Sequence, residues 1–401
     1  MFHNLKYIWS GFFLAEFGRA MYFIIITWIL YKMTNDAMYT GLLVGIGFIP
    51  SLFMNLIFGV IVDRFDRKIL TILANVISAI SLLLITTTIV FEILTPWMVI
   101  ITHMIIQLMG SLFRPSVQAF IAEIFTKSEL PKVYSQSGSA AIIGGLLGAS
   151  TGGVIIGLTS ETFSMWIVLI FFVLSTFSLM LVKRDTNISP SEDDNKSIIT
   201  DLIGGFQYLK RNTFLFNLFG IMFVGQLVFH TSIAFLSVYT KEYLEQTVMI
   251  YGFLDASLST GGVIAGILGT WWWNTNQNYL SIRSLMVVFL GLLLVGFAPI
   301  IYVAFIGVFL IGLGTTWIRV LLQSVQQMAT DKEYHGRMAS YRMICNQGSV
   351  VIGAPILGWV ANIYGVNGIY IALLIPVFIT TILALKQAQH KQLKAMFKKV
   401  A

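Results

Sequence analysis

The chain has 401 residues, of which 57% are hydrophobic and only 11% are charged, with a formal net charge of +7. A soluble globular domain carries about 25% charged residues, so this chain lacks the polar side chains needed to cover a water-exposed surface. Its single cysteine, Cys345, excludes an internal disulfide framework and a cysteine metal cluster. Composition therefore favours an integral membrane protein over a soluble domain.

Apolar runs of about 20 residues, the length that crosses a bilayer as a helix, recur along the whole chain. The first run follows Lys6 and lacks a small-residue cleavage site, and it is too long for a signal peptide, so we expect it to remain as the first span. Pro299 separates the ninth run from the tenth. We predict twelve transmembrane helices, at 5–31, 40–62, 69–91, 96–122, 134–158, 163–182, 213–239, 249–272, 281–298, 301–328, 338–360 and 368–386.

Lysine and arginine concentrate in alternate loops. If the N-terminus lies in the cytoplasm, nineteen of these residues fall in cytoplasmic segments, whereas only Lys32 and Lys241 fall outside. Cytoplasmic loops of membrane proteins carry an excess of basic residues. The distribution predicts that both termini are cytoplasmic, and it explains the positive net charge without a nucleic-acid partner.

One long polar segment, 183–212, divides six predicted helices from six. Its stretch 189–196 has the polar, acidic composition of a mobile linker, and the stretch 198–209 is typical of a short amphipathic helix on the inner membrane surface. We therefore expect an N-terminal bundle at 1–182, the linker at 183–212, a C-terminal bundle at 213–386 and a basic cytoplasmic tail at 387–401.

The two halves resemble each other at an offset of 204 or 205 residues. Gly110 and Arg114 lie opposite Gly314 and Arg319 in this alignment. Internal repeats of this kind predict two pseudo-symmetric six-helix bundles, with a substrate site near the middle of the membrane between them.

The loop between the second and third predicted helices reads GVIVDRFDRK, from Gly59 to Lys68. It resembles the loop signature of the major facilitator superfamily, G-x-x-x-D-R-x-G-R-R, with Asp66 in place of the second glycine. Two segments resemble sequences of the branch that holds macrolide-efflux and siderophore-export carriers. They are the loop variant D-R-x-D-R-K and the segment FRPSVQAF, from Phe113 to Phe120.

This resemblance implies a conformational gate that controls the switch between outward-open and inward-open states. The matching segment of the second half, 269–274, lacks the charges, so the charged gate is expected in the first half only. A plain positively charged cytoplasmic loop is the alternative interpretation. The residues assigned to the gate are Gly59, Asp63, Arg64 and Arg67.

The fifth predicted helix contains GGLLGASTGG, from Gly144 to Gly153. Small residues at this spacing allow neighbouring helix backbones to approach closely. The run resembles the G-x-x-x-G-P-x-x-G-G motif of exporters in the same superfamily, with Ala149 replacing the proline. The resemblance implies export and adds Gly144, Gly148 and Gly152 to the gate, with generic helix packing as the alternative.

Ionisable residues inside the predicted spans are few. Each costs at least about 2.5–3.5 kcal/mol at a helix centre, so such residues usually face a cavity. Glu16 and Arg19 lie three residues apart on one face of the first helix, where they could neutralise each other or bind a proton and a substrate. Asp255 has no charged neighbour within four residues, which suits a proton carrier, and His230 is a third candidate, although packing suits His103 and His230 as well.

Four arginines face only two clear acids within the spans. Because arginine binds carboxylates in a bidentate way, this balance favours an anionic or zwitterionic substrate. For the aromatic candidates, lipid contact or helix packing is the alternative, and a cytoplasmic anchor is the alternative for three of the arginines. The candidate substrate-binding residues are Arg19, Tyr22, Arg114, Trp317, Arg319, Tyr341 and Arg342.

The sequence as a whole predicts an all-α membrane protein with the major facilitator fold, in a bacterial cytoplasmic membrane. We expect proton-coupled export of a small amphipathic, carboxylate-bearing molecule, such as a siderophore or metallophore, by alternating access. Multidrug or macrolide efflux and uptake are the alternatives. No nucleotide-binding loop, metal-ligand cluster or catalytic triad stands out, so we expect a carrier without enzymatic activity, cofactor or bound metal. We also expect it to function as a monomer.

Overall fold

A computed structural model describes residues 2–126, 128–183, 198–275, 277–331 and 334–390. Within these ranges the chain is helical, without strands, and twelve helical segments are long and apolar enough to cross a membrane, which confirms the predicted number. The helices are α1 (Phe2–Thr34), α2 (Ala37–Arg64), α3 (Arg67–Val90), α4 (Pro96–Ile124), α5 (Leu130–Leu158), α6 (Glu161–Met180), α7 (Ile198–Arg211), α8 (Thr213–Val238), α9 (Val248–Ile267), α10 (Gly269–Asn274), α11 (Leu280–Gly296), α12 (Ile301–Ala329), α13 (His335–Tyr364) and α14 (Asn367–Ala388).

Polar side chains determine where several helices begin. The carboxylate of Asp36 accepts a hydrogen bond from the Met38 N–H at the start of α2, 2.7 Å away. Ser160 caps α6 in the same way. These caps satisfy N–H groups that have no partner inside the helix, so polar residues mark the points where these helices begin.

The chain divides into two compact units. The first comprises Met1–Asp193 and Glu245–Ala256, and the second comprises Asp194–Leu244 and Ser257–Ala401. Helix α9 therefore contributes its first part to the first unit and its remainder to the second. The predicted linker and tail lie partly outside the described residues, at 184–197 and 391–401.

In the first unit, α1 packs most extensively against α5 and α6, whereas α4 packs against α2 and α3. Aliphatic and aromatic side chains such as Ile8, Phe113 and Phe120 are fully buried in one cluster. The two groups of helices meet where α3 packs against α6, and also along a seam between α1 and α4, where the backbones approach each other at fewer points. Charged side chains lie in part of this seam, as described below.

In the second unit, α8 packs against α12, α13 and α14, and α11 packs against α12 and α14. A π-helical turn, Tyr239–Tyr243, extends α8 beyond its predicted end. The Tyr239 hydroxyl donates to the carbonyl of Val295, 2.7 Å away, which holds this turn against the end of α11.

The expected continuous helix 249–272 is wrong, because α9 ends at Ile267 and α10 follows after a turn at Leu268. Side-chain contacts hold α10 in place after this turn. The Trp272 ring stacks on Trp317 at a centroid distance of 3.8 Å, and the guanidinium of Arg283 lies 3.9 Å above the ring of Trp272. These contacts fasten α10 to α11 and α12.

The amphipathic segment in the second unit is a helix, α7, as expected. The Tyr208 hydroxyl donates to Asp331 Oδ2 and accepts from the Asp331 N–H, both at 3.1 Å. Its ring stacks on Tyr334 at 4.0 Å. Partial burial raises the pKa of Tyr208 above its ordinary value. These contacts fix α7 against the connection between α12 and α13.

Candidate functional site

Three charged side chains meet in the seam between α1 and α4. Glu16 Oε1 accepts from Arg19 Nη1 at 2.7 Å, and both Glu16 oxygens accept from Arg114, at 3.2 Å from Nε and 2.9 Å from Nη2. The prediction that Glu16 and Arg19 share one helix face is confirmed, and the bidentate contact with Arg114 is an additional finding. We call Glu16, Arg19 and Arg114 the charged trio.

Burial within the charged trio is uneven. The side chain of Glu16 is 9% exposed and that of Arg19 is 13% exposed, whereas the side chain of Arg114 is 59% exposed. Arg114 Nη1 donates to no side chain or carbonyl in the described part of the chain. Two guanidinium groups and one carboxylate leave a net charge of +1, and the accessible part of that charge belongs to Arg114. The charged trio is therefore suited to bind an anion.

Close packing around Arg19 explains its fixed position. A Cβ atom added to Gly110 would lie 3.4 Å from Arg19 Nε, so α4 presents a glycine where the guanidinium passes. The guanidinium also lies 5.6 Å from the centre of the Phe113 ring. Further along the seam, Tyr22 and His103 stack with a centroid distance of 6.0 Å.

Asp255 lies on the part of α9 that belongs to the first unit, partly exposed. No lysine, arginine or histidine in the described ranges forms an ion pair with it. One turn earlier, the Tyr251 hydroxyl hydrogen-bonds to Thr27 Oγ1 at 2.8 Å. This contact joins α9 to α1, the helix that carries Glu16 and Arg19.

Arg67 of the predicted gate loop forms an ion pair. Arg67 Nη1 lies 3.6 Å from Glu123 Oε2 near the end of α4, and the Glu123 side chain is almost fully buried. Asp66, which departs from the superfamily signature, caps α3 by accepting from the Ile69 N–H at 3.0 Å. Lys68 Nζ donates to the carbonyls of Met180 and Val182 at the end of α6. The loop thus ties α3 to α4 and α6.

Other residues assigned to the gate show fewer contacts. Arg64 is exposed at the end of α2. No described atom outside its own helix lies within 4 Å of a Cβ placed on Gly59, so its surroundings do not explain the glycine. The side chain of Asp63 lies outside the described part of the structure.

The glycines of α5 face the backbone of α1. A Cβ on Gly144 would lie 2.6 Å from the Phe13 carbonyl oxygen, and one on Gly148 would overlap the Phe17 carbonyl oxygen. Gly152 faces Met21 in the same row. The expected close approach of backbones therefore exists, between α5 and the helix that carries the charged trio.

The second unit places its candidates in less open positions. Arg319 lies 4.0 Å from the centre of the Phe229 ring, beside which His230 sits edge-on. Arg342 Nη1 donates to Gln326 Oε1 at 3.2 Å.

The two aromatic candidates of the second unit are engaged in packing. Trp317 is buried, its indole N–H donates to the Ala265 carbonyl at 2.9 Å, and its ring stacks on Trp272. Tyr341 lies against Phe206 of α7. These contacts favour a packing role for both residues.

Sequence reasoning missed two partners. Glu123 was not recognised as the partner of Arg67, because it lies at the end of a span where an acid looks solvent-exposed. The hydrogen bond between Tyr251 and Thr27 could not be predicted from the sequence, since both residue types are common in apolar helices. Among the described residues, no group of three or more histidine, cysteine, aspartate or glutamate side chains could hold a metal ion.

Comparison with known proteins matches the chain to a family model described as Major Facilitator Superfamily, over residues 8–349. An uncharacterized MFS-type transporter, YvqJ, of Bacillus subtilis (strain 168) is 21% identical over 90% of this chain and 87% of its own length. Macrolide efflux protein A of Streptococcus pyogenes is 22% identical over 90% of each chain.

Two solved structures share the fold. A bacterial homolog of the human lysosomal transporter Spinster aligns with a TM-score of 0.76 at 13% identity, covering 96% of both chains. The nucleoside transporter NupG aligns with a TM-score of 0.70 at 15% identity, covering 98% of this chain and 99% of its own. At these identities the likeness concerns the fold alone.

Proposed function

Because the chain belongs to the Major Facilitator Superfamily and is a multi-pass membrane transporter, we propose that it exports a small amphipathic molecule bearing an anionic group. A carboxylate-rich metallophore or siderophore is the substrate class that fits best. The observation that carries this proposal is the exposed guanidinium of Arg114, held in place by the buried carboxylate of Glu16.

The chemistry of the charged trio supports an anionic substrate. Arginine offers five N–H donors in a planar fork that matches a carboxylate, and Arg114 uses only Nε and Nη2 on Glu16. A substrate carboxylate that first binds at Nη1 would bring the net charge of the site from +1 to zero, and from there it can displace Glu16 from Nε and Nη2. A cationic substrate would instead meet an uncompensated positive charge.

Exchange at the same site links the substrate to a proton on Glu16. Protonation of Glu16 alone would leave two guanidinium groups in a poorly hydrated seam without a counter-charge, which is costly. It becomes favourable when a substrate carboxylate takes the place of Glu16 on Arg114, and loss of this proton on the outer side lets Glu16 displace the substrate. Export driven by protons that move inward also needs a site that binds a proton after the substrate has left. We assign that role to Asp255, which has no ion-pair partner in the described ranges, with His230 as the third candidate.

Export is the direction we propose, from the cytoplasm outwards with both termini inside. The glycine row of α5 resembles the exporter motif, and one relative is named as a macrolide efflux protein. That relative also makes macrolide or multidrug efflux the second candidate function. The two are distinguished by Arg114, since export of an uncharged or cationic drug should not depend on a guanidinium.

The test compares metabolites in the medium of strains that carry the wild-type gene, a deletion or single variants. We expect an anionic compound to be abundant outside wild-type cells and depleted in the deletion and in Arg114→Gln. The control Lys32→Gln removes a positive charge from an exposed ion pair with Glu161 and should behave as wild type. Equal export by Arg114→Gln would overturn the proposal, and accumulation inside wild-type cells would indicate uptake.

A further inference from the structure

Two polar side chains in the seam between α1 and α4 are buried without hydrogen-bond partners. Tyr22 and His103 are each 1% exposed. Among the described residues, neither the Tyr22 hydroxyl nor either ring nitrogen of His103 has a hydrogen-bond partner. Burying a polar group without a partner costs free energy, so most such groups in proteins are paired. Two neighbouring exceptions therefore call for an explanation.

The imidazole of His103 is held firmly in this position. It stacks on Tyr22 at 6.0 Å and lies 5.8 Å from the ring of Phe23. A Cβ on Gly47 of α2 would come within 2.5 Å of His103 Cδ2, so a glycine makes room for the ring. The ring is thus fixed by aromatic contacts and shape, while its nitrogens remain available for a hydrogen bond.

The position of this pair connects it to the charged trio. Tyr22 follows Arg19 by three residues and Glu16 by six, which places it within about 60° of Arg19 around the axis of α1. At 1.5 Å per residue, the Tyr22 Cα lies about 9 Å along the helix axis from that of Glu16. His103 precedes Gly110, the residue that Arg19 passes, by two turns of α4. The seam therefore carries a charged end and a neutral polar end.

The seam is also a place where helix backbones of the first unit lie apart. Helix α1 approaches α5 closely at Gly144 and Gly148, whereas the backbones of α1 and α4 come near each other at far fewer points. A ligand could enter between α1 and α4 by displacing side chains, without separating tightly packed backbones. A molecule bound at Arg114 would then extend towards Tyr22 and His103.

We propose that Tyr22 and His103 form a neutral hydrogen-bonding subsite that receives an uncharged hydroxyl, carbonyl or amide group of the substrate. This inference rests on the proposed function, because the anionic group of the same molecule binds Arg114. A neutral imidazole offers one donor and one acceptor, and a phenol offers both, so the pair accepts either polarity of partner. The substrate is then an acid with a second, uncharged polar group.

Binding of two matched probes to the purified full-length protein tests this subsite. The probes are 3-phenylpropionate and 3-(4-hydroxyphenyl)propionate, which differ by one hydroxyl at the end remote from the carboxylate. We expect isothermal titration to show the hydroxylated probe binding about fivefold more tightly to the wild type, the effect of one neutral hydrogen bond. Tyr22→Phe and His103→Leu should each reduce this preference, while His103→Gln, which keeps a donor and an acceptor, should retain part of it.

The controls separate the subsite from the anion site. Tyr370→Phe removes a buried hydroxyl that already donates to the Ser232 carbonyl, and it should leave the preference unchanged. Arg114→Gln should weaken both probes equally. Thermal unfolding of each variant checks that it is folded.

Each remaining outcome has one meaning. A preference that is absent in the wild type, or that survives in both Tyr22→Phe and His103→Leu, overturns the subsite while leaving Arg114-dependent binding intact. Binding of both probes that does not depend on Arg114 overturns the proposed function. Failure of the wild type to bind either probe overturns both.

Discussion

Alanine substitution at two glycines of α5 gives a direct test of the packing between α1 and α5. In Gly148→Ala the new Cβ would overlap the Phe17 carbonyl oxygen and lie 2.9 Å from the Phe17 Cα, both backbone atoms that cannot rotate away. In Gly145→Ala, three residues earlier, no described atom outside the helix lies within 4 Å of the new Cβ. The two variants make the same chemical change in different surroundings.

The magnitude follows from this comparison. Replacing glycine by alanine inside a helix stabilises it by about 0.5–1 kcal/mol, and this gain applies equally to both variants. The steric conflict at Gly148 forces α1 and α5 apart, and overpacking of this kind costs about 1–3 kcal/mol. The free energy of unfolding of Gly148→Ala should therefore fall below that of Gly145→Ala by about 1–3 kcal/mol.

Unfolding of the purified protein in detergent, followed by circular dichroism against denaturant concentration, measures this difference. Gly145→Ala should match or exceed the wild type, and Gly148→Ala should fall below it. Equal midpoints for the two variants would refute the close approach of α1 and α5. A loss of stability at Gly145 alone would show that a different face of α5 is packed.

Three further predictions concern the loop between α2 and α3 and the helix α7. Arg67→Glu should slow transport without weakening 3-phenylpropionate binding, because it breaks the ion pair with Glu123. The double variant Arg67→Glu/Glu123→Arg should recover part of the transport rate, and no recovery would show that the ion pair has no role in gating. Asp66→Ala should lower the free energy of unfolding by about 1 kcal/mol through loss of the α3 cap, whereas Asp66→Asn, which can still cap the helix, should keep the wild-type value. An equal loss of stability in both variants would show that the cap is not the cause. The pKa of Tyr208 is raised above its ordinary 10.0. Its contribution to α7 docking should therefore be complete below pH 10 and lost as the pH rises further, which faster proteolysis of the linker at increasing pH would show. Tyr208→Phe should show no such change with pH.

The twelve spans were predictable because each must be apolar over about 20 residues to cross a bilayer. The break at Leu268 was not, because residues 249–272 are largely apolar, and the contacts that hold α10, of Trp272 with Trp317 and Arg283, join residues distant in sequence. Local hydropathy contains no information about such tertiary contacts. The extension of α8 through Tyr243 was missed for the same reason.

The candidate site was predictable only in part. Glu16 and Arg19 could be paired from their spacing on one helix, and the glycine row of α5 could be assigned to close packing. The contact between Glu16 and Arg114 could not be predicted, since it joins residues 98 positions apart. Trp317 was an aromatic candidate for substrate binding, yet its indole stacks on Trp272 and donates to the Ala265 carbonyl. The gating and transport roles of all these residues stay predictions.

The central claim is that a substrate anion and Glu16 compete for Arg114, and binding of 3-phenylpropionate to Glu16→Gln tests it most directly. Removing the competing carboxylate raises the charge of the site from +1 to +2 while keeping a side chain of the same shape. A charge-assisted hydrogen bond is worth about 1.5–3 kcal/mol, so we expect an affinity at least about tenfold higher than that of the wild type. Transport should be slower, because the glutamine cannot displace the bound anion. Unchanged or weaker binding by a folded Glu16→Gln protein would contradict the account.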